Sequence, residues 1–117
     1  MTFANLIPTL DATVFVSSSE METRPVQHVI ASDLMSDVLV AHLDDFVLVT
    51  SLASDQMIRT ADLVGATGVI LVNDKRPPAS LIQLAKDLSI PLLGTALTKF
   101  AACLAIGKAL EDKGDPA

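Results

Sequence analysis

The residues best suited to chemistry in this sequence are a doubled Ser-Asp pair and a set of polar loops. The pair lies in segment 32–37, of sequence SDLMSD. On a helix its spacing brings Ser32, Asp33, Ser36 and Asp37 to one face, where they would form a polar rim that grips a ligand or a partner. A second interpretation is a doubled N-cap with a solvated first turn. A third uses Asp33 or Asp37 as an acid–base group, which requires a concave pocket and a perturbed pKa.

The polar loops follow the carboxyl ends of the predicted strands. Ligands bind at that edge of open parallel sheets. A helix starting near Ser54 would direct its backbone amides there, as suits an anion, and Lys75 and Arg76 would add positive charge. Ordinary loop polarity is the alternative interpretation, because the loops of α/β domains lie at the surface. The candidate binding residues in these loops are Thr50, Ser51, Ser54, Asp55, Asn73, Lys75, Arg76 and Thr95.

Motifs for metals, cofactors and catalysis are absent from the sequence. It has no cysteine pair, no His-x-x-x-His, no calcium loop, no Walker loop and no G-x-G-x-x-G. It also lacks the G-x-S-x-G of serine hydrolases. His28 and His42 stand alone and are interpreted as structural or surface residues. We therefore expect no metal, no cofactor and no catalysis by this chain itself.

Composition and charge narrow the classes of partner that this chain could bind. The formal net charge of −6 repels nucleic-acid backbones and anionic membranes, and only 3% of the residues are aromatic, too few for base-stacking platforms. Cys103 is the only cysteine and lies in an apolar run, which predicts a buried, inert thiol. Without a signal peptide or an apolar run of membrane length, we expect a cytoplasmic protein.

The elements that must position these residues form an α/β pattern. Strands are predicted at 13–16, 26–30, 46–50, 68–72 and 90–94. Helices are predicted near 3–10, from a Ser32 or Asp33 cap to about 41, at 55–64, after Pro78, and after Thr95 or Thr98. From residue 46 onward the alternation with short connections predicts a parallel sheet with right-handed crossovers. We expect one domain over 1–117, with an N-terminal helix and strands (1–30), a core (31–112) and a flexible tail (113–117). Whether the first 30 residues join the same sheet stays open.

Residues 31–110 resemble the DRTGG domain family, most closely its small stand-alone bacterial members. The segments that carry the resemblance are 32–39, 46–51, 68–73 and 90–95. It implies a parallel-sheet, three-layer α/β domain, similar in fold to the N-terminal domain of HPr kinase. Family members occur as regulatory insertions beside CBS domains in pyrophosphatases. The resemblance also implies a non-catalytic domain that tends to dimerise.

The sequence departs from the motif that names the family. Asp55-Gln56 stands at the Asp-Arg position, and 72–74 (VND) stands at the Thr-Gly-Gly position, so a ligand site built on those residues is altered here. Our main prediction is a non-catalytic regulatory or binding module, a homodimer that acts through a protein partner. One alternative is a nucleotide- or anion-binding sensor that uses the strand-end loops. Another is a small enzyme that uses Asp33 or Asp37.

Overall fold

The computed structural model describes residues 1–113, and the part of the expected tail that follows Lys113 lies outside the described residues. Within that range a 3-10 turn (Phe3–Asn5) leads into the first helix. The elements in chain order are α1 (Leu6–Leu10), β1 (Thr13–Val16), β2 (His28–Ala31), α2 (Met35–Leu39), β3 (Phe46–Thr50), α3 (Asp55–Val64), β4 (Gly68–Leu71), α4 (Ala79–Asp87), β5 (Leu92–Gly94) and α5 (Lys99–Lys113). No helix within residues 1–113 is long and apolar enough to cross a bilayer.

The strands form one sheet in the order β1-β5-β4-β3-β2. Strands β2 to β5 are parallel, and β1 is antiparallel to β5. The three connections from β2 to β5 each move one strand along the sheet in the same direction, and all three have the same handedness. Helices α2, α3 and α4 therefore lie on one face of the sheet. Helices α1 and α5 cover the other face. The first 31 residues thus supply both edge strands, and the predicted three-layer α/β fold is confirmed.

Each face of the sheet has its own apolar core. In β3, Phe46 and Leu48 point into the core under α2, α3 and α4, whereas Val47 and Val49 point into the core under α1 and α5. All of these side chains are buried. A strand buried on both faces needs a continuous apolar run rather than alternation, which is why this segment was recognisable in the sequence.

The helix predicted at 55–64 has those bounds because its two ends are well specified. Ser54 is the N-cap, and its Oγ accepts a hydrogen bond from the backbone N of Met57 at 3.3 Å. Gly65 follows the last turn with a φ of 75°, in the left-handed region that glycine adopts readily.

The predictions for α2 and β2 were partly wrong. Helix α2 begins at Met35, and neither Ser32 nor Asp33 caps it, because both side chains bond elsewhere. Strand β2 begins at His28 instead of residue 26. Upstream of it, the backbone N of Val26 donates to the carbonyl of Met1 at 2.8 Å, so this segment pairs with the N-terminus rather than with β3.

Candidate functional site

The most connected polar group in the described chain is the carboxylate of Asp33, just after β2. It accepts hydrogen bonds from Thr50 Oγ1 at 2.8 Å, from the backbone N of Ser51 at 2.8 Å and from Ser51 Oγ at 2.6 Å. It also pairs with Lys99 Nζ at 2.9 Å. We call Asp33, Thr50, Ser51 and Lys99 the Asp33 cluster. The cluster joins the end of β2, the end of β3 and the first residue of α5.

These contacts fix the charge state of the carboxylate. Partial burial raises the pKa of Asp33, but the donors on Ser51, Lys99 and Thr50 together outweigh burial and hold this pKa well below its usual range. The group is therefore an anion at any physiological pH. Because these donors occupy its oxygens, the carboxylate acts as a brace, that is, it holds the ends of β2 and β3 and the start of α5 together. For the same reason it is a poor general base.

The opposite half of the same sheet edge is organised around a buried hydroxyl. Thr95 Oγ1, after β5, donates to the carbonyl of Leu10 at 2.8 Å and accepts from the backbone N of Leu97 at 3.2 Å. Asn73 and Asp74, after β4, have φ values of 61° and 55°, and their backbone N–H groups donate to the carbonyls of Leu97 and Thr95. The backbone of this loop is therefore bonded to the β5–α5 connection.

A small cleft lies beside this loop. It has a volume of about 100 Å³ and is lined by Asp11, Thr13, Phe15, Asp74, Lys75, Arg76, Gly94, Thr95 and Ala96. Arg76 pairs with Asp74 at 3.6 Å, and both side chains are exposed. The two acidic residues offset the two basic ones, so the cleft is not strongly electropositive. It is also smaller than the ~300 Å³ at which small-molecule pockets usually begin.

The sequence-predicted binding residues do not form one site. The structure brings Asp33, Thr50 and Ser51 together in the Asp33 cluster, and it places Lys75, Arg76 and Thr95 in the cleft. The polar rim expected from the doubled Ser-Asp pair does not form, because two of its residues precede α2. The remaining residues lie apart: Ser32 bonds its own turn, Ser36 and Asp37 are exposed on α2, Ser54 and Asp55 begin α3, and Asn73 is exposed.

Sequence reasoning missed Lys99. It is the first residue of α5, after Thr98, whose Oγ1 accepts from the backbone N of Ala101 at 3.1 Å and so caps the helix. A cation at a helix N-terminus is electrostatically unfavourable unless an anion compensates it. A lysine at the start of a predicted helix was therefore the signal that the sequence offered for a nearby anion. Asp33 is that anion.

The single thiol and the acidic and histidine side chains bear on other kinds of chemistry. Cys103 is half-buried against the core under α1 and α5; burial raises the pKa of its thiol, while the charge of Lys99 lowers it by less. The expected buried thiol is thus partly exposed. Among residues 1–113, no group of three or more His, Cys, Asp or Glu side chains could hold a metal ion.

With this geometry established, the chain is a three-layer α/β domain whose fold has a solved counterpart. The counterpart is the structure of the CBS and DRTGG domains of the regulatory region of Clostridium perfringens pyrophosphatase, complexed with its activator, diadenosine tetraphosphate. It matches with a TM-score of 0.74 and 18% identity over 90% of this chain and 45% of that chain. This chain thus spans about half the length of its counterpart. The match confirms a DRTGG-like fold. No family model matches the chain, and no curated protein does.

Proposed function

We propose that this chain is a non-catalytic regulatory module that forms a homodimer and acts through a protein partner. The observation that carries the proposal is the fold, which is similar to a pyrophosphatase regulatory region over 90% of this chain. The Asp33 cluster supports it, because the polar groups at the ends of β2 and β3 are used for internal hydrogen bonds. Recognition is then left to the outer surface, where several large apolar side chains are exposed.

The alternative of a small enzyme has less support. The Asp33 carboxylate is braced by Ser51, Thr50 and Lys99, and its lowered pKa makes it a weak base. Asp37 is exposed on the short helix α2, which is not the desolvated setting that acid–base catalysis needs.

Light scattering, with and without a pool of nucleotides, tests the main proposal. We expect a particle of twice the 12.3 kDa chain mass, unchanged by nucleotides. A monomer whose melting temperature rises with nucleotide would contradict the proposal and favour the sensor. After a positive result, the partner can be sought by cross-linking to the purified dimer.

A nucleotide- or anion-binding sensor is the second candidate. It is favoured by the two adjacent cations, Lys75 and Arg76, at the ends of the strands, and by the dinucleotide activator bound in the pyrophosphatase regulatory region. Thermal shift with diadenosine tetraphosphate and mononucleotides tests it, since a ligand that binds the folded state raises the melting temperature. A sensor should lose the shift in Lys75→Ala/Arg76→Ala and keep it in Lys86→Ala, an exposed cation at the other end of α4. No shift at millimolar ligand would count against the sensor.

A further inference from the structure

A groove lies between the carboxyl ends of α2 and α3, at the edge of the sheet where the parallel strands begin. Its volume is about 430 Å³, compared with about 100 Å³ for the cleft beside Lys75 and Arg76. The groove is therefore within the size range of binding pockets, which begins near ~300 Å³. We call it the α2–α3 groove, and the residues that line it are Leu39, Ala41, His42, Leu43, Asp44 and Val64.

Part of the groove is aliphatic. Leu39 and Leu43 are exposed, and Val64 is half-buried against the core under α2, α3 and α4. Val40 and Leu63, which neighbour two of these residues in the chain, are more exposed still. Aliphatic side chains that are exposed in and beside a concavity are typical of an interaction site.

The groove is also electronegative. Asp44 lines it and Asp45 follows in the chain, and within residues 1–113 neither carboxylate belongs to an ion pair. Nδ1 of His28 donates to the backbone carbonyl of Asp44 at 2.9 Å, a bond that involves only the main chain of this aspartate. Val64 ends α3, and the last carbonyls of a helix carry partial negative charge and have no partner inside the helix.

The segment that supplies most of the groove holds most of the net charge of the chain. Residues 25–58 contain five aspartates and no lysine or arginine, so they carry −5 of the formal net charge of −6. Lys99 pairs with one of these aspartates, Asp33, and the other four form no ion pair within the described range. A partner that binds in this region must therefore bring positive charge.

The chain itself shows how a cation binds at this end of α3. Nη2 of Arg24 donates to the carbonyl of Gly65, the residue that follows the helix, at 2.9 Å. A guanidinium carries several donors at the end of an aliphatic stem. In the groove, such a stem can lie along Leu39 and Leu43 while the charged head reaches the carboxylate of Asp44.

We propose that the α2–α3 groove receives a segment of a partner protein in which an arginine or lysine lies beside aliphatic residues. The charge of this segment is complementary to Asp44 and Asp45, and its aliphatic side chains cover Leu39, Leu43 and Val64. A small free cation would leave these aliphatic side chains in water, and an anionic lipid or nucleic acid would be repelled. This inference rests on the protein partner of the proposed function and gives the chemistry of that partner.

A random peptide library displayed on phage and panned on the purified full chain tests the groove. We expect the enriched sequences to combine Arg or Lys with Leu, Ile, Val or Phe. A synthetic peptide of an enriched sequence should bind Leu39→Lys about tenfold more weakly than wild type, because this variant places a cation on the aliphatic surface. It should bind Asp44→Lys about fivefold more weakly, because the attractive charge is reversed. Fluorescence polarisation of the labelled peptide measures both changes.

Each variant has a matched control. Leu104→Lys, on α5, makes the same change at a side chain that is 48% exposed, compared with 46% for Leu39, and should leave peptide binding unchanged. Asp37→Lys makes the same change in charge as Asp44→Lys, but Asp37 is exposed on α2 and does not line the groove. It should therefore weaken binding much less than Asp44→Lys. Circular dichroism confirms that each variant is folded.

The outcomes separate this inference from the proposed function. Weaker binding to the two groove variants, with the controls intact, supports the groove. Enriched peptides without basic residues, equal weakening by Asp37→Lys, or no enrichment of any peptide overturns it. Full displacement of the peptide by an equal concentration of arginine amide also overturns it, because a small cation would then suffice. A partner found by cross-linking that binds Leu39→Lys and Asp44→Lys as tightly as wild type overturns the groove and leaves the regulatory module intact.

Discussion

At the ends of β2 and β3, the carboxylate of Asp33 holds four donors, whereas at the ends of β4 and β5 the charged side chains point into solvent. There, Arg76 and Asp74 form one ion pair at 3.6 Å, with side-chain exposures of 73% and 66%. Both regions are polar loops at the same edge of one sheet. One is a brace within the fold, and the other is a free surface.

The difference arises from what each acidic residue can reach. Asp33 faces a buried threonine hydroxyl and a backbone N–H, which are already fixed by β3 and cost little entropy to engage. Asp74 faces the long, exposed side chain of Arg76, which loses rotamer freedom on pairing and is screened by water. A polar residue at a strand end thus contributes to stability when its partners are rigid and stays available for binding when they are flexible.

The sharpest way to break this comparison is to remove the carboxylate of each aspartate. Asp33→Ala should lower the free energy of unfolding by about 2 kcal/mol, since it leaves the buried Thr50 hydroxyl and the Ser51 amide without an acceptor. Asp74→Asn, which keeps a residue type that tolerates the φ of 55° at this position, should change it by less than ~0.5 kcal/mol. Urea denaturation midpoints with equal m-values measure both changes. Equal losses in the two variants would show that the Asp33 cluster is no more of a brace than the exposed pair.

Lowering the pH should destabilise wild type more than Asp33→Asn, and we expect this difference to be smaller than the effect of Asp33→Ala. An unfolded aspartate titrates near pH 3.9. Because the folded pKa of Asp33 lies well below that value, its contribution is fully present above about pH 5 and is lost as the pH falls towards the folded pKa. The side chain is 43% exposed, which moderates the effect. Between pH 5 and pH 2.5 the urea midpoint should therefore fall further for wild type than for Asp33→Asn. Parallel declines would mean that the cluster does not hold the folded carboxylate ionised.

The fold was largely predictable because its signals are local. The apolar run at β3 and the capped ends of α3 depend on neighbouring residues, and both were predicted with the correct bounds. The errors at α2 and at the start of β2 have long-range causes. Asp33 does not cap α2, because its carboxylate accepts a hydrogen bond from the backbone N of Ser51. The backbone N of Val26 donates to the carbonyl of Met1 instead of extending β2.

The candidate site was less predictable than the fold. Its members could be selected as polar residues at strand ends, but their partition into a brace and a cleft depends on distances that no sequence pattern encodes. Lys99 shows the limit most clearly. Lys99 belongs to α5, which is far from Asp33 in the sequence. Only the folded arrangement brings its Nζ to 2.9 Å from the Asp33 carboxylate.

The smallest predicted effect concerns that lysine. Lys99→Met should change the free energy of unfolding by less than ~0.5 kcal/mol, because the lost ion pair is partly exposed and the removed cation no longer opposes the α5 helix dipole. The variant should nonetheless slow alkylation of Cys103 at fixed pH, since the charge of Lys99 lowers the pKa of this half-buried thiol. Lys108→Met, on the same helix, is the control and should leave the rate unchanged. If alkylation were unchanged or faster in Lys99→Met, the charge of Lys99 would not act on Cys103. The lysine would then belong to the Asp33 brace alone.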